Sequence, residues 1–323
     1  MSGQEMAEKL FLTRTAVWKA IKSLREEGHE IEAVTNKGYR LTGDIELPAE
    51  ERIDGYIREY PGTAGKYEST LADTLIRVYD SVESTNDVAA AFAKEDSGKE
   101  YIIIADAQTK GRGRRGRDFY SPAGTGIYIS FLIYPHVSFD KAMNYTCMMA
   151  ECVCRAIYRV TGIETGIKWV NDIYYKDRKV AGILTEGIAS LEDGELSHVI
   201  IGAGINLYTP YEGFPADIEK RAGALLFEKT DDEIKDKLYA AIICEFLSCY
   251  RYPDKNPFVE DYISRSILVG KYVKMYPSDG RKAAKDAGYA YVTGIDKDCR
   301  LLVRYEDGRE EAISSGEVSV VKY

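Results

Sequence analysis

Apolar residues recur at helical spacing near the start of the chain. Residues 3–10 and 13–27 predict two short helices separated by a tight turn, and the second carries Ala16, Val17, Ala20, Ile21 and Leu24 on one face. Thr13 or Thr15 is placed to cap its start and Gly28 to stop it. HEIEAV (29–34) then alternates as a strand, NKG (36–38) reads as a turn, and YRL (39–41) as a returning strand. Two helices followed by a small hairpin make a winged helix–turn–helix. Residues 44–66 read as a connection: IELP, a polar helical segment, then PGTAGK. From about residue 75 the pattern becomes strands alternating with helices. LIRVYDSV (75–82), YIIIADAQ (101–108), GIYISFLIY (126–134), DIYYKDRKV (172–180), AGILTEGI (181–188) and SHVIIGAGINLY (197–208) predict strands. DVAAAFAK (87–94), DKAMNYTCMMAECVCRAIYRV (140–160) and DDEIKDKLYAAIICEFLSCYRY (231–252) predict helices. From Ile267 onward, short strands broken by DG and SG turns predict a small β-barrel. The fold class is α+β, with parts at 1–43, 44–266 and 267–323, the middle one a mixed-sheet domain.

Composition narrows the function classes. The 323 residues carry a net charge of −9, so a surface that coats nucleic acid throughout is excluded and any such contact must be local. Two stretches go against that balance. Residues 9–25 hold Lys9, Arg14, Lys19, Lys22 and Arg25 without an acid, and residues 110–117 hold Lys110, Arg112, Arg114, Arg115 and Arg117, again without an acid. No apolar run is long enough to span a bilayer, and the polar MSGQEMAEKL is no secretory signal, so the chain is expected in the cytoplasm with no membrane partner. The six cysteines form no CxxC pair and read as buried free thiols, with no protein metal site expected.

QTKGRGRRGRDFYSPAGTG (108–126) contains GxGxxG at Gly111, Gly113 and Gly116. A dinucleotide fingerprint must open a helix, whereas here DFYSP and a strand follow. Glycines let backbone amides approach an anion, and arginines offer forked donors to phosphate or carboxylate. Such a loop is expected to be mobile until an anionic ligand neutralises it. A basic surface segment for nucleic acid is the alternative. No GK[ST] loop is present, which disfavours a P-loop ATPase. KWVNDIYYKDRKVAGILTE (168–186) offers Lys168, Asn171, Asp172 and Lys179, or else a hairpin with solvated lysines. Ser84, Thr85 and Asn86 form a polar cup or simply cap the helix that follows. In IGAGINLY (201–208), Gly202 and Gly204 permit close approach inside an apolar strand, and Asn206 presents an amide.

In this order and spacing, these four segments resemble biotin–protein ligases. SGQEMAEKL, TRTAVWKAIKSLREEG and IEAVTNKGYRL resemble the DNA-binding part of the bifunctional ligase–repressors. Four departures stand out. The family carries a further helix ahead of residue 3. Phe11 stands where it has a turn glycine, a strain of roughly 1 kcal/mol. Val170 replaces a proline and Phe119 a tryptophan. The resemblance implies a winged helix–turn–helix, a biotin/lipoate ligase-type catalytic domain and an SH3-like barrel. It implies biotin binding by Ser84, Thr85, Asn86, Gln108, Arg112, Gly113, Arg114, Lys179 and Gly182. It assigns the nucleotide to Arg112, Arg115, Arg117, Asn171, Lys179 and Asn206, and the chemistry to Arg114, Lys179 and Asp172. Thr13, Arg14, Thr15, Trp18, Lys19 and Lys22 would meet operator DNA. Biotin and ATP are the implied substrates, with Mg2+. The implied partners are a biotin carboxyl carrier protein, operator DNA and a second copy in a homodimer. A lipoate-type ligase and a non-catalytic DNA-binding sensor of a small acid are the alternatives.

Overall fold

The computed structural model describes residues 2–9, 12–26, 31–34, 38–41, 49–61, 71, 74–96, 98–135, 137–138, 141–189, 196–229, 231, 233–255, 257–276, 288–314 and 317–320. The chain separates into two compact units, Met1–Pro48 and Ala49–Tyr323.

In the first unit, α1 (Gly3–Lys9) and α2 (Arg14–Glu26) pack through Ala7, Val17 and Ile21, with Ile31 and Tyr39 against them. Thr13 caps α2, its Oγ1 accepting from the Ala16 amide at 3.2 Å. The hairpin of β1 (Ile31–Val34) and β2 (Gly38–Leu41) is antiparallel, with Ile31 opposite Leu41. Thr13, Arg14, Thr15, Trp18, Lys19 and Lys22 are all exposed. The expectations at Phe11, Gly28 and Asn36–Lys37 of the NKG turn lie outside the described residues.

The second unit opens with α3 (Ala49–Glu59). The sequence suggested only a polar helical connection here, and the structure corrects that. Ile53 and Ile57, four apart on one face, are fully buried in the main core, and Arg52 pairs with Asp236 at 2.6 Å. Burying each isoleucine stabilises by roughly 1.5–3 kcal/mol, enough for two apolar residues to anchor a helix that is otherwise polar.

Seven described strands form one mixed sheet. They are β3 (Leu75–Val82), β4 (Tyr101–Gln108), β5 (Gly126–Ile133), β6 (Gly166–Lys168), β7 (Asp172–Tyr175), β8 (Arg178–Ala189) and β9 (Leu196–Asn206), in the order β3-β4-β5-β9-β8-β7-β6. β3 and β4 run parallel, joined by α4 (Thr85–Glu95), and the remaining pairings are antiparallel. DIYYKDRKV is therefore not one strand. Lys176 and Asp177 take φ of 48° and 60°, a two-residue turn that closes β7 onto β8 and carries Lys179 away from the loop tip.

The long helices α5 (Ala142–Thr161) and α6 (Ile234–Arg251) supply much of the core, including Cys147, Cys152, Cys154, Cys244 and Cys249. All six cysteines are buried and free. A short helix, α7 (Val259–Ser264), leads to the small C-terminal domain. Its five described strands, β10 (Tyr272–Tyr276), β11 (Tyr289–Ile295), β12 (Leu301–Tyr305), β13 (Glu310–Ile313) and β14 (Glu317–Val320), form an antiparallel sheet. Val273, Val292, Leu301, Val303 and Val318 belong to the same core cluster as the large sheet, and Trp169 Nε1 donates to the Cys299 carbonyl at 2.8 Å. No described helix is long and apolar enough to cross a membrane.

Candidate active site

The arginine-rich segment leaves β4 and re-enters the sheet as β5. It folds back on itself instead of opening a helix. The Phe119 amide donates to the Gly111 carbonyl at 2.8 Å and the Gly113 amide to the Arg117 carbonyl at 2.7 Å, around a tight turn at Arg114–Gly116. Gly111 is buried, and a Cβ there would fall 2.4 Å from the Phe119 carbonyl oxygen. Only glycine lets the two limbs meet so closely. This is the loop between strands that the sequence suggested, and it is not a dinucleotide fingerprint.

Charge pairing pins the loop to the sheet and to α4. Lys110 meets Glu83 at 2.7 Å. Arg112 Nη2 donates to Asp87 at 2.6 Å and to Glu186 at 3.1 Å. Arg114 Nη1 donates to Asn171 Oδ1 at 2.9 Å. Asn171 is buried, and its amide donates in turn to the Ile183 carbonyl at 2.9 Å. A second polar link lies beside it, with Lys179 Nζ 2.5 Å from Asp172 Oδ1.

Below the loop lies a cavity of about 340 Å³. Its walls gather Arg112, Gly113, Arg114, Arg115, Arg117, Asn171, Asp172, Lys179, Gly182 and Asn206, ten residues that the sequence singled out. Gly182 faces Gly204 across β8 and β9, and the Phe119 ring lies over this pair. A Cβ on Gly204 would come within 2.5 Å of that ring. Asn206 donates to the Gly223 carbonyl at 2.9 Å, fixing one wall. Arg178 fixes another by donating to the carbonyls of Glu219 and Ala222 at 2.5 and 3.2 Å. Burial pushes the Tyr174 phenol, also on the wall, up to about 12, so it stays protonated. Cations outnumber carboxylates around the cavity, which suits an anionic occupant.

Ser84, Thr85, Asn86 and Gln108 do not line this cavity. Thr85, Asn86 and Gln108 join Ser130 in a polar cup in which Thr85 and Asn86 are buried. The Thr85 amide and hydroxyl donate to Gln108 Oε1 at 2.9 and 3.1 Å, and Ser130 Oγ donates to Asn86 Oδ1 at 2.6 Å. Asn86 Nδ2 donates to Glu186 at 2.7 Å, and Gln108 Nε2 donates to Ser121 Oγ at 3.0 Å. Ser84 occupies the N-cap of α4, as the capping alternative has it, though its side chain makes no capping bond. Several site residues escaped the sequence: Ser130 and Glu186 of the cup, and Phe214, Ile218, Arg221 and Val318 of the cavity wall. A lone serine in the apolar GIYISFLIY and a lone glutamate ending AGILTE were available signals. The wall residues gave none, because they come from distant segments.

Three comparisons bear on this arrangement. Residues 1–40 match an HTH domain, residues 78–206 the biotin/lipoate A/B protein ligase family, and residues 289–321 the biotin protein ligase C terminal domain. The bifunctional ligase/repressor BirA of Bacillus spizizenii is 32% identical over 98% of this chain and 92% of its own. That of Escherichia coli is 27% identical over 99% of this chain and 92% of its own. The solved biotin protein ligase from Aquifex aeolicus in complex with biotin and ATP superposes with a TM-score of 0.59 at 26% identity, covering 77% of this chain and 99% of that one. With its helix–turn–helix, mixed sheet, arginine loop and small β domain in this order, the chain belongs to the bifunctional ligase/repressor BirA family of biotin–protein ligases.

Proposed function

We propose that the chain joins biotin to AMP at the expense of ATP, passes the biotinyl group to a lysine of a biotin carboxyl carrier protein, and represses transcription through its N-terminal unit. The observation that carries the ligase reading is the convergence of Arg112, Arg114, Arg115, Arg117 and Lys179 on one glycine-floored cavity. Biotin carboxylate must attack the α-phosphate of ATP, so two anions must meet. Two unit charges 4 Å apart at an effective dielectric of 20 repel by about 4 kcal/mol. Lys179 and Arg114 supply the opposing charge, the first held by Asp172 and the second by Asn171. Arg115 and Arg117 face the nucleotide, and Asn206 helps to shape that side. The loop shields the mixed anhydride from water until the acceptor amine arrives. Asp172 takes the proton from that amine in this reading.

Among the described residues no three metal-ligating side chains converge, and Asp172 is already paired with Lys179. Among the described residues there is thus no all-protein cage for a divalent cation. Mg2+ enters as the counterion of ATP. Thr13, Arg14, Thr15, Trp18, Lys19 and Lys22 form the face for operator DNA, read as a homodimer in the cytoplasm, where ATP, carrier and operator meet. The test is to mix the purified chain with ATP, an isolated carrier domain and labelled biotin or labelled lipoate. Pyrophosphate release and incorporation with biotin alone are expected. Incorporation of lipoate, or of neither acid, would overturn the reading.

A further inference from the structure

The polar cup and the arginine loop meet at one carboxylate. Glu186 lies on β8, four residues beyond Gly182. Its Oε2 accepts from Asn86 Nδ2 at 2.7 Å and from Arg112 Nη2 at 3.1 Å, so a single oxygen serves a donor inside the cup and a donor on the loop. Asn86 has little freedom to move. It is 4% exposed, and its Oδ1 accepts from Ser130 at 2.6 Å. A Cβ on Gly202 would press within 2.3 Å of that same oxygen, so the glycine holds open the space that the amide fills. Ser130 Oγ also lies 2.7 Å from Thr85 Oγ1. The chain of contacts runs from the cup through Asn86 to Glu186 and out to Arg112, which lines the cavity.

We propose that Glu186 is a positioning residue that latches the arginine loop in register with the polar cup. The proposal rests on the ligase function above. Both side chains of the Arg112–Glu186 pair are partly exposed, and an exposed ion pair on its own contributes little. What makes this one a latch is the buried amide behind it, which fixes where the carboxylate stands. Asp87 supplies the second arm, so the guanidinium spans α4 and β8.

The decisive variant is Glu186→Gln. It keeps an amide oxygen for Asn86 and removes the charge that holds Arg112. Losing one charge-assisted hydrogen bond predicts that the KM for biotin in pyrophosphate release rises about tenfold while kcat stays close to native. Trypsin should cut residues 110–117 faster in the variant, with and without biotin plus ATP, at an unchanged melting temperature. Glu186→Ala also deprives Asn86 of its acceptor and should raise KM further. Native KM together with native trypsin protection in Glu186→Gln would overturn the proposal, as would a fall in kcat at unchanged KM. The trypsin arm without ligand does not depend on catalysis. If the native chain released no pyrophosphate, the ligase reading would fail while the latch was still being tested.

Discussion

Replacing Lys179 with alanine removes a cation from the place where two anions must meet. In the folded chain its ammonium stands 2.5 Å from Asp172 and beside the bare Cα of Gly182, where an added Cβ would lie 3.2 Å from Nζ. The side chain thus reaches across the glycine floor toward the cavity. Loss of one such charge in the transition state costs about 3 kcal/mol, or roughly a hundredfold in the rate of adenylate formation. Part of that loss has a second origin, because Lys179→Ala also leaves the Asp172 carboxylate on the cavity wall without its partner and so adds a third anion. A double-mutant cycle separates the two effects. Lys179→Ala with Asp172→Asn should recover the part due to the orphaned carboxylate and leave the remainder. The assay is single-turnover pyrophosphate release with biotin and ATP, with equilibrium biotin binding measured separately. Binding should weaken less than the chemistry. Adenylate formed by Lys179→Ala at the native rate would refute the paired-anion argument.

Arg114→Gly removes a cavity cation and the bond to Asn171, so it should impair retention of the activated acid more than its formation. Incubated with biotin, ATP and albumin, the variant should label albumin lysines, and labelling equal to native would count against shielding by the loop. Burial pushes the Glu151 carboxyl from its ordinary 4.5 up to about 7, opposed by Arg265 and Arg155. Raised in the folded state, it binds its proton more tightly there than in the unfolded chain. Its contribution to stability is therefore complete below about 4.5 and lost as pH rises toward about 7. Glu151→Gln should flatten the fall of melting temperature across that window, and an unchanged slope would refute the assignment. For the N-terminal unit, a gel shift on the organism's biotin-synthesis promoter should weaken steeply with salt, and Arg14→Ala or Lys19→Ala should reduce the log–log slope by about 0.9 per lost phosphate contact. No shift at low salt with biotin and ATP present would exclude operator binding.

What could be read from the sequence was what repeats locally. The periodicity of Val17 and Ile21, the apolar strands and the two long core helices each declare themselves within a dozen residues. The arginine loop was legible because glycine and like charge between two strands have few other uses. Tertiary partners were not legible. Ala49–Glu59 looked polar because only Ile53 and Ile57 carry its burial, against a helix nearly two hundred residues away. DIYYKDRKV looked continuous because no glycine or asparagine marks a turn that has positive φ at both Lys176 and Asp177. Which residues line the cavity and which join in the cup was not legible either, because the two groups alternate along the chain. Nothing in their spacing shows that Asn86 faces Ser130 and Glu186 while Arg114 faces Asn171.

Phe119 shows how such gaps close once the register is known. From the sequence it is only an aromatic residue after an arginine loop, standing where relatives are expected to have tryptophan. The antiparallel register then places Gly182 opposite Gly204, two positions without side chains on neighbouring strands. Together they leave a bare strip of sheet that no single strand reveals. The loop returns through Gly111 at a distance only a glycine permits, and this return sets the Phe119 ring down on that strip. A phenyl ring keeps the flat apolar contact that a tryptophan would make there, and it forgoes the indole N–H. The contact therefore needs three glycines from three segments and one aromatic residue from a fourth position. Each is unremarkable where it stands, and together they define the floor on which the charged groups act.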